Sequence, residues 1–99
     1  MAFKILIHVE AMDDIQQGID YYNQQQKGLG IKFHAAVKRT FKEIKSSPFF
    51  QIRYDDVRCR LLNKYPYLMH FVVDEKAKII FIYRLKHTSM NNEELKVKK

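Results

Sequence analysis

Apolar and polar residues alternate at the start of the chain. Phe3, Ile5, Ile7 and Val9 fall on one side, and Lys4, Leu6 and His8 on the other. A period of two predicts a strand. Leu6 makes the second side partly apolar, so this strand is expected to be covered on both faces. The period then lengthens. Met12, Ile15, Ile19 and Tyr22 recur at helical spacing and predict one buried helical face. Glu10, Asp13 and Asp14 sit in the first turns, where carboxylates favour the positive end of the helix dipole. Gly18 weakens such a helix by ~1 kcal/mol relative to alanine unless close packing requires it. Gln24 to Lys27 are polar, and Gly28 reads as the C-terminal stop.

Gly28-Leu29-Gly30 predicts a turn in which two glycines allow positive φ and Leu29 folds back onto the core. A phosphate-cradling loop would need a longer glycine spacing and a following Lys-Ser/Thr, and the segment has neither. In the next helix Phe33, Val37, Phe41 and Ile44 line one face, with Ala36 and Thr40 beside them. Lys32, Lys38, Arg39, Lys42 and Lys45 occupy the other face against Glu43 alone. The first helix carries Glu10, Asp13, Asp14 and Asp20 with no basic residue before Lys27. The predicted hairpin therefore has one acidic and one basic arm. Ser46-Ser47-Pro48 ends it.

Phe49 to Asp56 reads as a loop. Beyond it Val57, Cys59 and Leu61 alternate with Arg58, Arg60 and Leu62, which predicts a strand with an arginine-bearing face. Asn63 to Pro66 reads as a turn. Tyr67 to Asp74 is nearly all apolar, as a central strand should be. Asp74 to Ala77 is a hairpin loop. Lys78 to Lys86 is the last strand, with Ile79, Phe81, Tyr83 and Leu85 facing opposite to Ile80, Ile82 and Arg84. The order β-α-α-β-β-β predicts an α+β fold, a helical hairpin packed on one face of a small, mainly antiparallel sheet. The other face is free to carry Arg58 and Arg60. Strand order cannot be read from the pattern.

Composition sharpens this picture in a few places. Ninety-nine residues make one domain, taken as residues 1–87, with 88–99 a polar tail. Cys59 is the only cysteine, so no disulfide framework exists, and it reads as a small apolar residue rather than a nucleophile. No apolar run approaches the ~20 residues of a membrane span. Met1 to Ile7 runs straight into acidic residues without a cleavage site, so a cytoplasmic protein is expected. The net charge of +7 points to an acidic partner, whether nucleic acid, ribosome or protein segment, although a basic domain can also lack one. His8, His34, His70 and His87 show no ligand spacing, so neither a metal nor another cofactor is expected.

Several landmarks in one order resemble a known family. Asp20-Tyr21-Tyr22 closes the first helix. Gly28-Leu29-Gly30 is followed by Ile31, Lys32 and Phe33, and Pro48 closes the second helix. Arg58 and Arg60 lead to Lys64-Tyr65-Pro66-Tyr67, and the last strand ends in Lys86-His87-Thr88-Ser89. This resembles the RelE/ParE toxins of type II toxin–antitoxin systems, and most closely the ParE branch of plasmid stabilisation proteins. The resemblance implies a toxin neutralised by a cognate antitoxin whose acidic, partly apolar tail folds on binding. In the ParE branch the implied target is DNA gyrase, reached by protein binding. In the RelE branch it is messenger RNA on the ribosome, cut by an endoribonuclease. A diverged, non-toxic member that only binds antitoxin is a third alternative. Two departures bear on the choice. Leu68 and Met90 stand where the family usually carries arginine, and both losses remove cations that phosphate chemistry favours.

If the chain is a nuclease, His87 is the candidate acid or base, and Arg58, Arg60 and Arg84 are candidate phosphate ligands. Tyr67 or Tyr83 could stack on a base. The plainer alternatives are a solvated strand face for Arg58 and Arg60, a structural role for His87 and a core position for Tyr83. If the chain works by binding, the candidate contacts to antitoxin or target are Lys38, Arg39, Lys42, Arg58, Arg60, Lys64 and Lys86. The opposed charges of the hairpin arms also admit a homodimer across a two-fold axis.

Overall fold

The computed structural model describes residues 3–49, 52–54, 56–62 and 64–88 of the chain. Asn63, Met90 and the expected tail beyond Thr88 lie outside the described residues. The order is β1 (Lys4–Ile7), α1 (Val9–Gln25), α2 (Leu29–Ser46), β2 (Ile52–Tyr54), β3 (Val57–Leu61), β4 (Tyr67–Asp74) and β5 (Ile79–His87). The sheet runs β1-β5-β4-β3-β2. β1 pairs with β5 in parallel, and the other neighbours are antiparallel. This is the expected α+β architecture, with one addition. The segment expected to be a loop from Phe49 to Asp56 contains β2, a strand of three residues, too short to show a period.

The core lies between the helical hairpin and one face of the sheet. Phe33, Val37 and Ile44 from α2 meet Ala11 and Ile15 from α1, and Met69, Phe71, Ile80, Ile82 and Leu85 from β4 and β5. Leu62, just past β3, is fully buried in the same cluster. The apolar stripe of α1 differs from the expected one. Ala11, Ile15 and Gly18 are buried, while Met12 is 55% exposed. The small residues let α1 approach closely, and a Cβ on Gly18 would stand 2.5 Å from Cε2 of Phe33.

The turn between the helices is tighter than expected. α1 ends at Gln25, and Gly28, at φ 95°, is the N-cap of α2, so Leu29 and Gly30 already belong to the second helix. The Asn23 side chain accepts the Gly30 N–H at 2.8 Å and satisfies one of the open donors of α2.

Three expectations about faces are corrected. Leu6 is exposed, because β1 is an edge strand covered on one face only. Tyr83 is 43% exposed rather than in the core. His70 and Phe71, adjacent on β4, pair with Arg84 and Ile82, so Tyr83 is the extra residue of a β-bulge. The bulge shifts the alternation, and Ile80, Ile82 and Leu85 become the buried set. Arg58 and Arg60 lie on the helix side of the sheet rather than on its open face. Their cross-strand partners are the core residues Phe71 and Met69, and paired residues share a face.

Candidate functional site

The aromatic residues among those that carry the family resemblance meet in one cluster. Tyr22 stacks on Phe33 with centroids 5.1 Å apart. Tyr65 meets both rings edge-on, at 5.2 Å from Tyr22 and 5.3 Å from Phe33. Tyr67 lies 5.2 Å from Phe33 and 5.3 Å from His87. Burial is the main force pushing the Tyr22 phenol above its ordinary 10.0, followed by the neighbouring phenols Tyr67, Tyr21 and Tyr65. Tyr67 is raised by burial first and by Tyr21 second. Both therefore stay neutral at physiological pH, as packed rings. The helical landmarks Tyr22 and Phe33 and the turn landmarks Tyr65 and Tyr67 thus join the hairpin to the start of β4.

A cleft of about 250 Å³ opens beside this cluster, between α1 and the end of β5. Asp14, Gln17, Tyr21, Tyr67, Arg84, Lys86 and His87 are among its lining residues. One wall is a polar clasp. Arg84 Nε donates to Asp14 Oδ2 at 2.8 Å, and Arg84 Nη2 donates to Oδ1 at 3.1 Å. The backbone N–H of Leu85 donates to the same Oδ2 at 3.0 Å, and Glu10 stands 3.8 Å from Arg84 Nη1. The pairing of β1 with β5 ends at Ile7 opposite Ile82, so Asp14 serves a part of β5 that β1 does not reach. Asp14 is the residue that sequence reasoning missed. The available signal was its place one turn after Glu10, on the flank of the apolar stripe.

The other candidate cations are distributed among separate elements. Arg60 Nη2 donates to Glu43 Oε1 on α2 at 3.0 Å. The Arg58 guanidinium lies over the Phe49 ring, 5.4 Å from its centroid. His87 ends β5 opposite Tyr67 in register, with Lys86 beside it opposite Leu68. Lys38, Arg39 and Lys42 are exposed on the outer side of α2, and Lys64 is exposed in the turn before β4. Among the nuclease candidates, then, Arg84 is engaged by α1 and Arg60 by α2. Leu68, at the position where the family resemblance implies arginine, is a buried leucine. On the open face of the sheet Cys59 Sγ lies 3.5 Å from Nδ1 of the buried His70. Among the described residues no three His, Cys, Asp or Glu side chains gather to hold a metal ion. No described helix is long and apolar enough to cross a membrane.

No protein-family model and no curated protein sequence matches the chain. Solved structures do. A chain of the chromosomal ParDE toxin–antitoxin system from P. aeruginosa superposes with a TM-score of 0.73 at 18% identity, covering 86% of this chain and 95% of that one. A chain of the toxin–antitoxin complex RelBE2 from Mycobacterium tuberculosis superposes with a TM-score of 0.61 at 13% identity, covering 88% and 99%. A hairpin on a mainly antiparallel sheet, tied by an aromatic cluster built from the ordered landmarks, is therefore the RelE/ParE toxin fold.

Proposed function

We propose that this chain is the toxin of a type II toxin–antitoxin module and acts by gripping DNA gyrase rather than by cutting RNA. The fold supports the toxin role and, with it, a cognate antitoxin as partner. The observation that carries the choice of mechanism is the engagement of two of the three candidate sheet arginines, Arg84 and Arg60, by carboxylates. Stabilising a pentacovalent phosphate needs cations held ready for developing negative charge. Here Arg84 is held by Asp14 and Glu10, and Arg60 by Glu43. Leu68 brings no charge at all. Protein binding needs none of this convergence and is served by surface shape and by the positive field of a +7 chain.

One observation favours the ribonuclease reading. The cleft beside Tyr67 and His87 also has Tyr21 and Lys86 on its walls, a set able to stack a base and to move a proton. Induced expression in a bacterial host, with pulse labelling of DNA and protein synthesis, separates the two. Early failure of DNA synthesis with filamenting cells is the expected result. Early arrest of protein synthesis, abolished by His87→Ala, would replace the gyrase reading with the ribonuclease one.

A further inference from the structure

The central strands of the sheet have two ends. One carries the pair Tyr67 and His87, and the other carries the hairpin that joins Asp74 to Ile79. Roughly 23 Å separates them, the reach of the eight residues of β4. At the hairpin end four side chains from separate parts of the chain form a row in which two cations bracket two rings. Lys78 Nζ stands 5.3 Å from the centroid of the Phe3 ring. Phe3 meets Phe49 edge-on, with centroids 6.1 Å apart. The Arg58 guanidinium completes the row, 5.4 Å from the Phe49 centroid.

The needs of the fold explain only part of this row. Phe3 packs against the core, and the Lys4 N–H donates to the Lys78 carbonyl at 2.8 Å, which ties β1 to the hairpin. Phe49 follows the buried Pro48 yet leaves 53% of its surface in water, apolar area from which the fold gains little. Lys78 is the second anomaly. Its φ of 59° is a left-handed backbone that a residue with a Cβ disfavours and glycine accepts freely. Strained backbone of this kind gathers at ligand clamps. Among the described residues no carboxylate pairs with the Lys78 ammonium. Asp74, in the same hairpin, accepts the Ala77 N–H at 3.0 Å.

We propose that this end of the sheet holds a single strand of DNA, with a base stacked on the exposed part of Phe49 and phosphates on Arg58 and Lys78. Exposed rings interleaved with cations hold single strands without regard to sequence. A protein anchor instead needs a pocket that encloses its side chain, and Phe49 is exposed rather than recessed. The strand is single because a paired base keeps its faces inside the duplex stack. Stacking and charge pairing serve DNA and RNA alike. The gyrase reading above, on which this one choice rests, makes the strand DNA.

The chain contains no tryptophan, so Phe49→Trp places a single fluorescent reporter in the row. The probes for the full chain are a short thymidylate oligomer, an abasic oligomer with the same phosphates, a uridylate oligomer and an acidic amphipathic peptide. The thymidylate oligomer is expected to quench the indole and to bind more tightly than the abasic one by at least roughly fivefold, the low end for one stacked base. Phe49→Ala should erase that difference. Lys78→Gly relieves the backbone, so the melting temperature should hold or rise. The slope of log affinity against log salt should meanwhile fall by about 0.7, one phosphate contact on a single strand. Lys27→Gln, in the turn between the helices, removes the same charge and should leave the slope unchanged. The proposal falls if the abasic oligomer binds as tightly, or if the peptide rather than the oligomer quenches the indole. It falls equally if uridylate binds more tightly than thymidylate, or if Lys27→Gln lowers the slope as Lys78→Gly does. A chain that binds the strand as expected but stops protein synthesis first would lose the gyrase reading and keep this surface. Early failure of DNA synthesis without strand binding would do the reverse.

Discussion

The two helices are fastened to the sheet in different ways. α2 buries Phe33, Ala36, Val37, Thr40 and Ile44, a long apolar seat in which Thr40 returns its hydroxyl to the Ala36 carbonyl at 2.9 Å. α1 fully buries only Ala11, Ile15 and Gly18, two of them too small to supply much area, with Ile19 and Tyr22 half-buried beside them. Its deficit is met by a notch and a clasp. Gly18 admits the Phe33 ring, and Asp14 seizes Arg84 and the Leu85 backbone. An apolar seat leaves the polar face of α2 free, so its lysines can stay outward. A polar clasp turns part of the acidic charge of α1 inward. The acidic arm therefore works for the fold and the basic arm is left for partners, an asymmetry invisible in the net charge.

Phe33 is where the two fastenings meet, so its removal should have the largest effect. Phe33→Ala empties the notch and unseats Tyr22, Tyr65 and Tyr67 together. A loss of about 3–5 kcal/mol is expected in chemical denaturation, enough to unfold many domains of this size. A loss below ~1 kcal/mol would show that the aromatic cluster is peripheral to stability and would dissolve the distinction drawn here.

Asp14→Ala comes next and tests the clasp directly. The carboxylate is only 12% exposed and accepts three N–H groups. Its loss strips the Leu85 N–H of this acceptor and takes from Arg84 the nearer of two carboxylates, worth about 2–3 kcal/mol. Hydrogen exchange localises the damage, since the Leu85 amide should lose protection more than the amides of β3. Unchanged Leu85 protection would mean that α1 is held by its apolar contacts after all.

The seat was legible in the sequence and the clasp was not, for physical reasons. Phe33, Val37 and Ile44 are large and recur with the helical period, so pattern alone identifies them. Ala11 and Gly18 are small, and the pattern of large apolar residues points to Met12 instead. Strict alternation places Tyr83 in the core. A bulge inserts one residue without changing composition, and only the pairing of β4 with β5 exposes it. The same limit hid the side on which Arg60 lies, because alternation shows which residues share a face but not which face the helices cover. For the candidate site, the aromatic landmarks were visible as an ordered motif, while their convergence depends on contacts between helix and turn that are distant in sequence. The left-handed backbone of Lys64, at φ 72°, has no signature in a segment where glycine would announce it.

The smallest effect is expected at the second arginine–carboxylate pair, and its smallness is informative. Arg60 and Glu43 meet at 3.0 Å with both side chains 38% exposed. Two charges reached by water and ions gain little over solvation, so Glu43→Gln should cost about 0.2–1 kcal/mol, less at high salt. Two arginines with similar partners would then differ severalfold in their effect, because Asp14 is shielded and also holds backbone while Glu43 does neither. Hydrogen exchange checks where the small loss falls, since an exposed pair should leave the protection of the β3 amides around Arg60 almost unchanged. A large loss of stability, or broad loss of β3 protection, would make this pair a second clasp and remove the asymmetry between the helices.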